Sequence, residues 1–236
     1  MRNLGTFTGI NKKMKYLLLF IIAFFGVELY AQKCKCTSQQ FEETEEEPTK
    51  VFKFKNGQEL KLCSVATYNF KRDPTTYYKD FIIADCETQK PINLLENSEY
   101  FSISFNNDTL SIKEIVNLPV GKNRKFVMTS VSESKYYYIG NILSTTKQNI
   151  ELPKYNTRQI LATIEEYKNA NGKIIDFKGL YARLLVAGLS DNSEALGYFT
   201  NFRKKFGDLM SSEEIDNYKL MQSIFSSIIA ESLIQK

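Results

Sequence analysis

Four cysteines, Cys34, Cys36, Cys63 and Cys86, are the residues with the most chemistry to offer. Cysteine sulfurs can bind zinc, attack a carbonyl or pair as disulfides, and the redox compartment decides among these uses. Histidine is absent from all 236 residues. Its absence removes the commonest general base, the commonest zinc ligand and the usual switch near neutral pH. A cysteine nucleophile would therefore lack its imidazole partner. A four-thiolate zinc site would need paired Cys-x-x-Cys knuckles, which this spacing does not provide. Disulfides are the expectation that remains, with three possible connectivities. Cys34 and Cys36 lie two apart and face one side in a strand, so at least one bridge should tie them to Cys63 or Cys86.

Other constellations carry less. In a strand, Tyr136 and Tyr138 share a face while Tyr137 points the other way, and the pair is the candidate binding site for a sugar or a partner protein. Ser132 and Lys135 form Ser-x-x-Lys across an expected turn, a spacing better explained by chance than by catalysis. Lys122-Asn123-Arg124-Lys125 follows Gly121 but matches no phosphate-cradling loop and is expected as a solvated turn. Arg203-Lys204-Lys205, beside Phe202 and Phe206, should complement the dipole at the end of its own helix. Glu165-Glu166 is expected on a helix surface. The run Glu42-Glu43-Thr44-Glu45-Glu46-Glu47-Pro48 lacks the interleaved glycine and backbone ligands of a calcium loop and is expected as an acidic linker. Neither a metal nor a cofactor site is expected.

Cys34-Lys35-Cys36, ahead of a β-rich region, resembles the Cys-x-Cys start of the netrin-like metalloproteinase inhibitors. The resemblance implies a first cysteine whose free amine chelates a metal. It covers three residues, and here Gln32 and Lys33 precede Cys34.

The compartment is written in the first residues. Lys12, Lys13 and Lys15 lead into the apolar run Tyr16–Val27, which Glu28 closes before Leu29-Tyr30-Ala31. A basic flank, an apolar core of roughly a dozen residues and a small-residue exit make a secretory signal. The run is short of the about 20 apolar residues of a membrane-spanning helix. Residues 1–31 are thus expected as a cleaved signal peptide whose true start is Met14, and no stable membrane span is expected after cleavage. Ala31-Gln32-Lys33 is not the sequence that precedes a lipid-modified cysteine, so no lipoprotein is expected. Residues 1–31 hold four of the 31 basic and one of the 27 acidic residues, which leaves the remaining chain near +1. Bulk charge therefore gives no support to a nucleic-acid partner.

Behind the signal come a Cys-containing segment and acidic linker (32–50), an antiparallel β region (51–152) and a helical region (153–236). Phe52 and Phe54, then Asn56-Gly57, then Leu60 and Leu62 predict a hairpin with a two-residue turn. Phe81–Ala84 predicts a strand. Phe101, Ile103 and Phe105, turning at Asn106-Asn107-Asp108 and returning through Leu110 and Ile112, predict a second hairpin. Separate strands are expected at Phe126–Thr129 and Tyr136–Ile139. Short strands at this spacing predict an antiparallel sandwich or small barrel.

From Pro153 the period changes. Ile160, Leu161, Ile164 and Tyr167 predict a helix capped by Asn156 or Thr157 and stopped at Gly172. Asp176 caps a second, and Ser193 a third that runs through Phe206. Ser211 and Glu214 form a capping box for a fourth, which carries Ile215, Tyr218, Met221, Ile224, Phe225, Ile228 and Ile229. The predicted fold is α+β, with the sandwich or barrel followed by a four-helix bundle. The predicted function is that of an exported, non-enzymatic protein, periplasmic or secreted, that binds an envelope or extracellular protein or glycan. The alternatives are a carboxylate-dependent hydrolase of polysaccharide and an envelope-assembly or immunity-type factor.

Overall fold

The computed structural model describes residues 34–36, 47–64, 67–69, 75–94, 100–170 and 176–226. The expected signal segment (1–31), the acidic run up to Glu46, the stop at Gly172, and Ile228 and Ile229 lie outside the described residues. Ten strands and five helices lie within them: β1 (Lys50–Lys53), β2 (Glu59–Ser64), β3 (Thr67–Asn69), β4 (Thr76–Tyr78), β5 (Phe81–Asp85), β6 (Pro91–Leu94), β7 (Tyr100–Asn106), β8 (Thr109–Leu118), β9 (Val127–Ile139), β10 (Ile142–Asn149), α1 (Thr157–Asn169), α2 (Phe177–Leu189), α3 (Ser193–Thr200), α4 (Phe202–Phe206) and α5 (Ser212–Ile224). The chain is α+β, with two sheets followed by helices. Among the described residues no helix is long and apolar enough to cross a membrane.

By its contacts the chain divides into two units. The first holds the sheet ordered β1-β2-β5-β6. Its β2 is buried on both faces through Leu60, Lys61, Leu62 and Cys63, as an inner strand requires. Two disulfides close this unit, Cys34–Cys86 and Cys36–Cys63, with Cα separations of 4.6 and 5.9 Å. Each of the two N-terminal cysteines is thus tied to a residue in or just after one of the inner strands.

Between the two bridged cysteines, the carbonyl of Lys35 accepts a hydrogen bond from the Lys61 ammonium, which also donates to Gln89 Oε1. Gln89 donates in turn to the Cys86 carbonyl at 2.8 Å. The Lys61 side chain is fully buried, and burial lowers its pKa against the pull of Asp85. A buried ammonium is tolerated where acceptors meet its donors, and these acceptors take two of the three.

The second unit holds the sheet ordered β10-β9-β8-β7-β4-β3 and all five helices. The hairpin β7–β8 turns at Asn107 and Asp108, both at positive φ (48° and 62°), as the expected hairpin needs. The Asn56-Gly57 turn differs from expectation. Gly57 N donates to the Phe54 carbonyl (2.9 Å), so the turn begins at Phe54 and glycine is its last residue. Phe54 leaves the strand to bury its ring edge-on against Phe105 and Tyr138, at 5.0 and 4.9 Å. Lys55 N donates to Asp108 and Asn56 Nδ2 to the Gly140 carbonyl, which hold the loop open around that ring.

The two strands expected between Phe126 and Ile139 are one strand, β9, and a further strand, β10, follows it. Glu114 faces Ser132 while Ile115 faces Ser130, so Val131 is the extra residue of a β-bulge. The bulge lets the adjacent Val131 and Ser132 both be buried, which alternation alone forbids. β9 and β10 are joined by Gly140-Asn141, with Gly140 at φ +60°.

Helix ends follow local rules. Asn156 and Gln159 form a capping box on α1, Asp176 Oδ1 accepts from Gly179 N on α2, and Ser211 and Glu214 box α5. Asn192, one residue before the expected Ser193, caps α3. The third expected helix is two. At Asn201 both the backbone N–H (3.1 Å) and the side chain (2.9 Å) donate to the Gly197 carbonyl, which closes α3, and α4 begins at the next residue. Five helices therefore stand where four were expected.

Ten of the thirteen residues of α2 are buried, so it forms the centre of the helical core. Phe199, Phe202, Tyr218 and Phe225 surround it, and Val116, Leu118 and Val131 join from β8 and β9.

The bridges close sequence separations of 52 and 27 residues, which the chain-entropy argument values at about 4 and about 3.5 kcal/mol. Peptide mapping without reduction should find the 34–86 and 36–63 pairings. Replacing Cys36 and Cys63 together by serine should lower stability to denaturant by about 3 kcal/mol, and an unchanged midpoint would contradict this account.

Candidate functional site

The residues singled out in the sequence land in unlike places. Tyr136 is 5% exposed, and Tyr138 is half-buried with its ring against Phe54. An open stacking face shared by the two is therefore not what the sheet presents. Tyr77 and Tyr78 are buried as well. Ser132 and Lys135 are three apart in one strand and point to opposite faces, so they form no dyad. The four sulfurs are bonded to one another in pairs. Cys34 and Cys86, although close to the Glu59 carboxylate, therefore have no thiolate to offer a metal.

The basic loop after Gly121 is not simply solvated. Asn123 and Arg124 both sit at φ 58°, and this left-handed pair turns Arg124 toward α1. Its Nη1 donates to Thr163 Oγ1 (3.2 Å) and Glu166 Oε2 (3.3 Å). Arg183 of α2 holds the same carboxylate with two nitrogens, one at 3.1 Å. Glu166, expected on a free surface, thus links the loop, α1 and α2.

Beside it Tyr155 donates to the Pro119 carbonyl at 2.6 Å, and burial pushes its phenol up to about 12. These groups are matched to one another, which makes the cluster a fastening of the fold.

A different set of residues forms an open groove of about 600 Å³ on the helices. Its lining comes from the end of α1 (Tyr167), from α3 (Ser193, Glu194, Gly197, Tyr198), from Asn201 and from α4 (Lys204, Lys205). Tyr198 stacks on Tyr167 with centroids 4.2 Å apart. Lys205 lies over the Tyr167 ring at 4.2 Å and donates to the Tyr167 carbonyl at 3.0 Å. The cation expected to complement its own helix therefore complements the last turn of α1 instead.

Glu194 accepts from the Tyr198 hydroxyl (2.8 Å) and pairs with Lys168 (2.9 Å). The Lys168 bond, with that of Tyr198, holds the Glu194 carboxyl below its usual range. Lys204 is exposed and has no ion pair among the described residues. Charge at the groove is therefore uneven. The one lining carboxylate among the described residues is matched by Lys168, while Lys204 and Lys205 make no ion pair among the described residues.

Sequence reasoning reached Tyr167 and Lys204–Lys205 separately and missed Tyr198. The signal available was Tyr198 itself, a half-buried ring four residues before the buried Phe202 and four after Glu194. The chain matches no protein-family model, no curated protein and no solved structure.

Two changes test the fastening. Glu166→Ala leaves Arg183, whose side chain is 14% exposed, with only the more distant Asp176 carboxylate at 3.6 Å and should cost about 2 kcal/mol in thermal or denaturant melts. Glu166→Gln, which keeps an acceptor oxygen, should cost less.

The folded-state pKa of Tyr155 lies above that of a free phenol, so folding favours its neutral form. Its contribution is complete below about pH 10 and is lost as pH rises toward 12. Tyr78, Tyr167 and Tyr218 are shifted in the same direction by burial. Tyr155→Phe should flatten part of this alkaline fall in melting temperature; an unchanged slope would contradict the assignment.

Proposed function

We propose that the protein is exported and acts as a binding protein without catalytic activity, with the groove between α1, α3 and α4 as its ligand site. Export is supported by the charged flank and apolar run of residues 12–31 and by four cysteines spent on two disulfides. The observation that carries the binding role is the groove itself, a tyrosine wall beside Lys204 and Lys205, which make no ion pair among the described residues. Ligand pockets combine such apolar walls with a few converging polar groups.

The hydrolase alternative gains no support from this groove. Acid–base cleavage of a glycosidic bond uses two carboxylates, one of them with a raised pKa. Among the described residues Glu194 is the one carboxylate on the lining, and its pKa is shifted down by its partners.

The test uses chain 32–236, immobilised and exposed separately to envelope protein, envelope glycan and culture-medium fractions. Retention by the wild type should fall about tenfold in Lys204→Glu, which removes an exposed cation and touches no packing. Equal retention by both would remove the groove from the function. Turnover of a polysaccharide that stops in Glu194→Gln would overturn the non-enzymatic reading.

A further inference from the structure

Gly197 lies inside the eight-residue helix α3, where a glycine weakens the helix through backbone entropy. Neither conformation nor packing asks for it. Its φ is not positive, and a Cβ built on it would meet nothing within 4 Å. Gly188 in α2 is the contrast: a Cβ there would lie 2.8 Å from Leu196 Cα, so its bareness is what lets α2 and α3 touch. What lies over Gly197 is the groove, which it lines with Tyr198, Asn201, Lys204 and Lys205. A side chain at this position would occupy the groove floor.

We infer that Gly197 keeps open the floor of a site for a carboxylate-bearing oligosaccharide; this rests on the groove being the ligand site. Among the described residues Lys204 and Lys205 supply cations that make no ion pair, while Glu194 is matched by Lys168. The ligand complementary to them is therefore anionic. Asn201 Oδ1 and the Tyr198 hydroxyl oxygen, whose own protons are engaged within the helix, offer acceptors to ring hydroxyls, Ser193 offers a hydroxyl, and the tyrosine wall with the lysine stems offers apolar surface to the C–H face of a sugar.

The recurring ways of binding a peptide fit less well. Strand addition needs a sheet edge, and every lining residue here belongs to a helix or to the Asn201 junction. A bound helix needs a row of apolar side chains to receive its anchors, and this lining has only tyrosines and polar groups. The volume of about 600 Å³ lies within the range of small-ligand sites, roughly 300–1,000 Å³.

Calorimetric titration of a short oligogalacturonate, a neutral oligogalactose of equal length and an oligoglutamate peptide tests this. The uronate should bind, less tightly as salt rises, and the neutral sugar should not. Gly197→Leu and Lys204→Glu should each weaken the uronate at least tenfold. Leucine favours helix over glycine, so Gly197→Leu should not lower the melting temperature, and its loss of binding would not reflect unfolding.

Uronate binding by Gly197→Leu at wild-type affinity would overturn the role of the glycine. Equal binding of the neutral sugar would overturn the anionic ligand. Tighter binding of oligoglutamate would assign the groove to an acidic protein segment. No uronate binding, with envelope material still retained in a Lys204-dependent way, would overturn the sugar and keep the groove; loss of both would remove the groove itself.

Discussion

A helix apolar on nearly every side can persist in water only where other elements enclose it, and α2 is such a helix. Its residues from Phe177 to Gly188 leave only Lys178 and Arg183 outside the buried set. Arg183 resolves its position by gripping Glu166 of α1, so even the polar interruption fastens a neighbour to α2. α1, α3 and α5 pack on it, α4 continues the ring through Phe202 and Phe206, and β8 closes it with Val116 and Leu118. The groove follows from this enclosure. α1 and α3 must both lie on α2, and α4 must fold back to bury its phenylalanines. Tyr167, Tyr198 and Lys205 then meet because their backbones have nowhere else to go.

The first unit meets a different constraint by different means. Its four strands are short, and a small sheet buries too little apolar surface to order a long N-terminal segment. Two bridges and the buried Lys61 tie Cys34–Cys36 to β2 and to the turn after β5 at neighbouring points. The lysine donates to the carbonyl between the two cysteines, a bond that a hydrophobic residue could not make. In this way a charged residue comes to stand at the centre of an inner strand.

What was legible in the sequence was what local chemistry decides. Asn156, Asp176, Ser211 and Glu214 cap helices because their side chains reach orphan N–H groups within a turn, whatever lies beyond. Asn107 and Asp108 accept positive φ for a similar local reason. The bridged cysteines were expected from number and order, although their pairing was not.

What stayed hidden depends on distant partners. β10 is an edge strand that runs from Ile142-Leu143 into Ser, Thr, Lys, Gln and Asn with no alternation, and β9 joins two apolar stretches through serines held by the sheet. Phe54 abandons its strand for rings more than fifty residues away. The groove was invisible because its wall is assembled from three helices, and the lysines in it had a sufficient local explanation in their own helix.

The absence of histidine also has a consequence at the groove. Of the titratable groups around it, Glu194 is shifted down by Lys168 and Tyr198, whereas Lys168 is shifted up by Glu194. Tyr198 is shifted up by its bond to Glu194, and Tyr167 is shifted up by burial. Each shift moves a group further from neutrality, so hydrogen bonding reinforces the charge pattern that side-chain identity already sets. A site built this way keeps one charge state across the physiological range, where an imidazole would change it. Recognition there would respond to ionic strength, through Lys204 and Lys205, far more than to pH. That combination suits a proposed exported binder, which meets surroundings whose acidity the cell does not hold fixed.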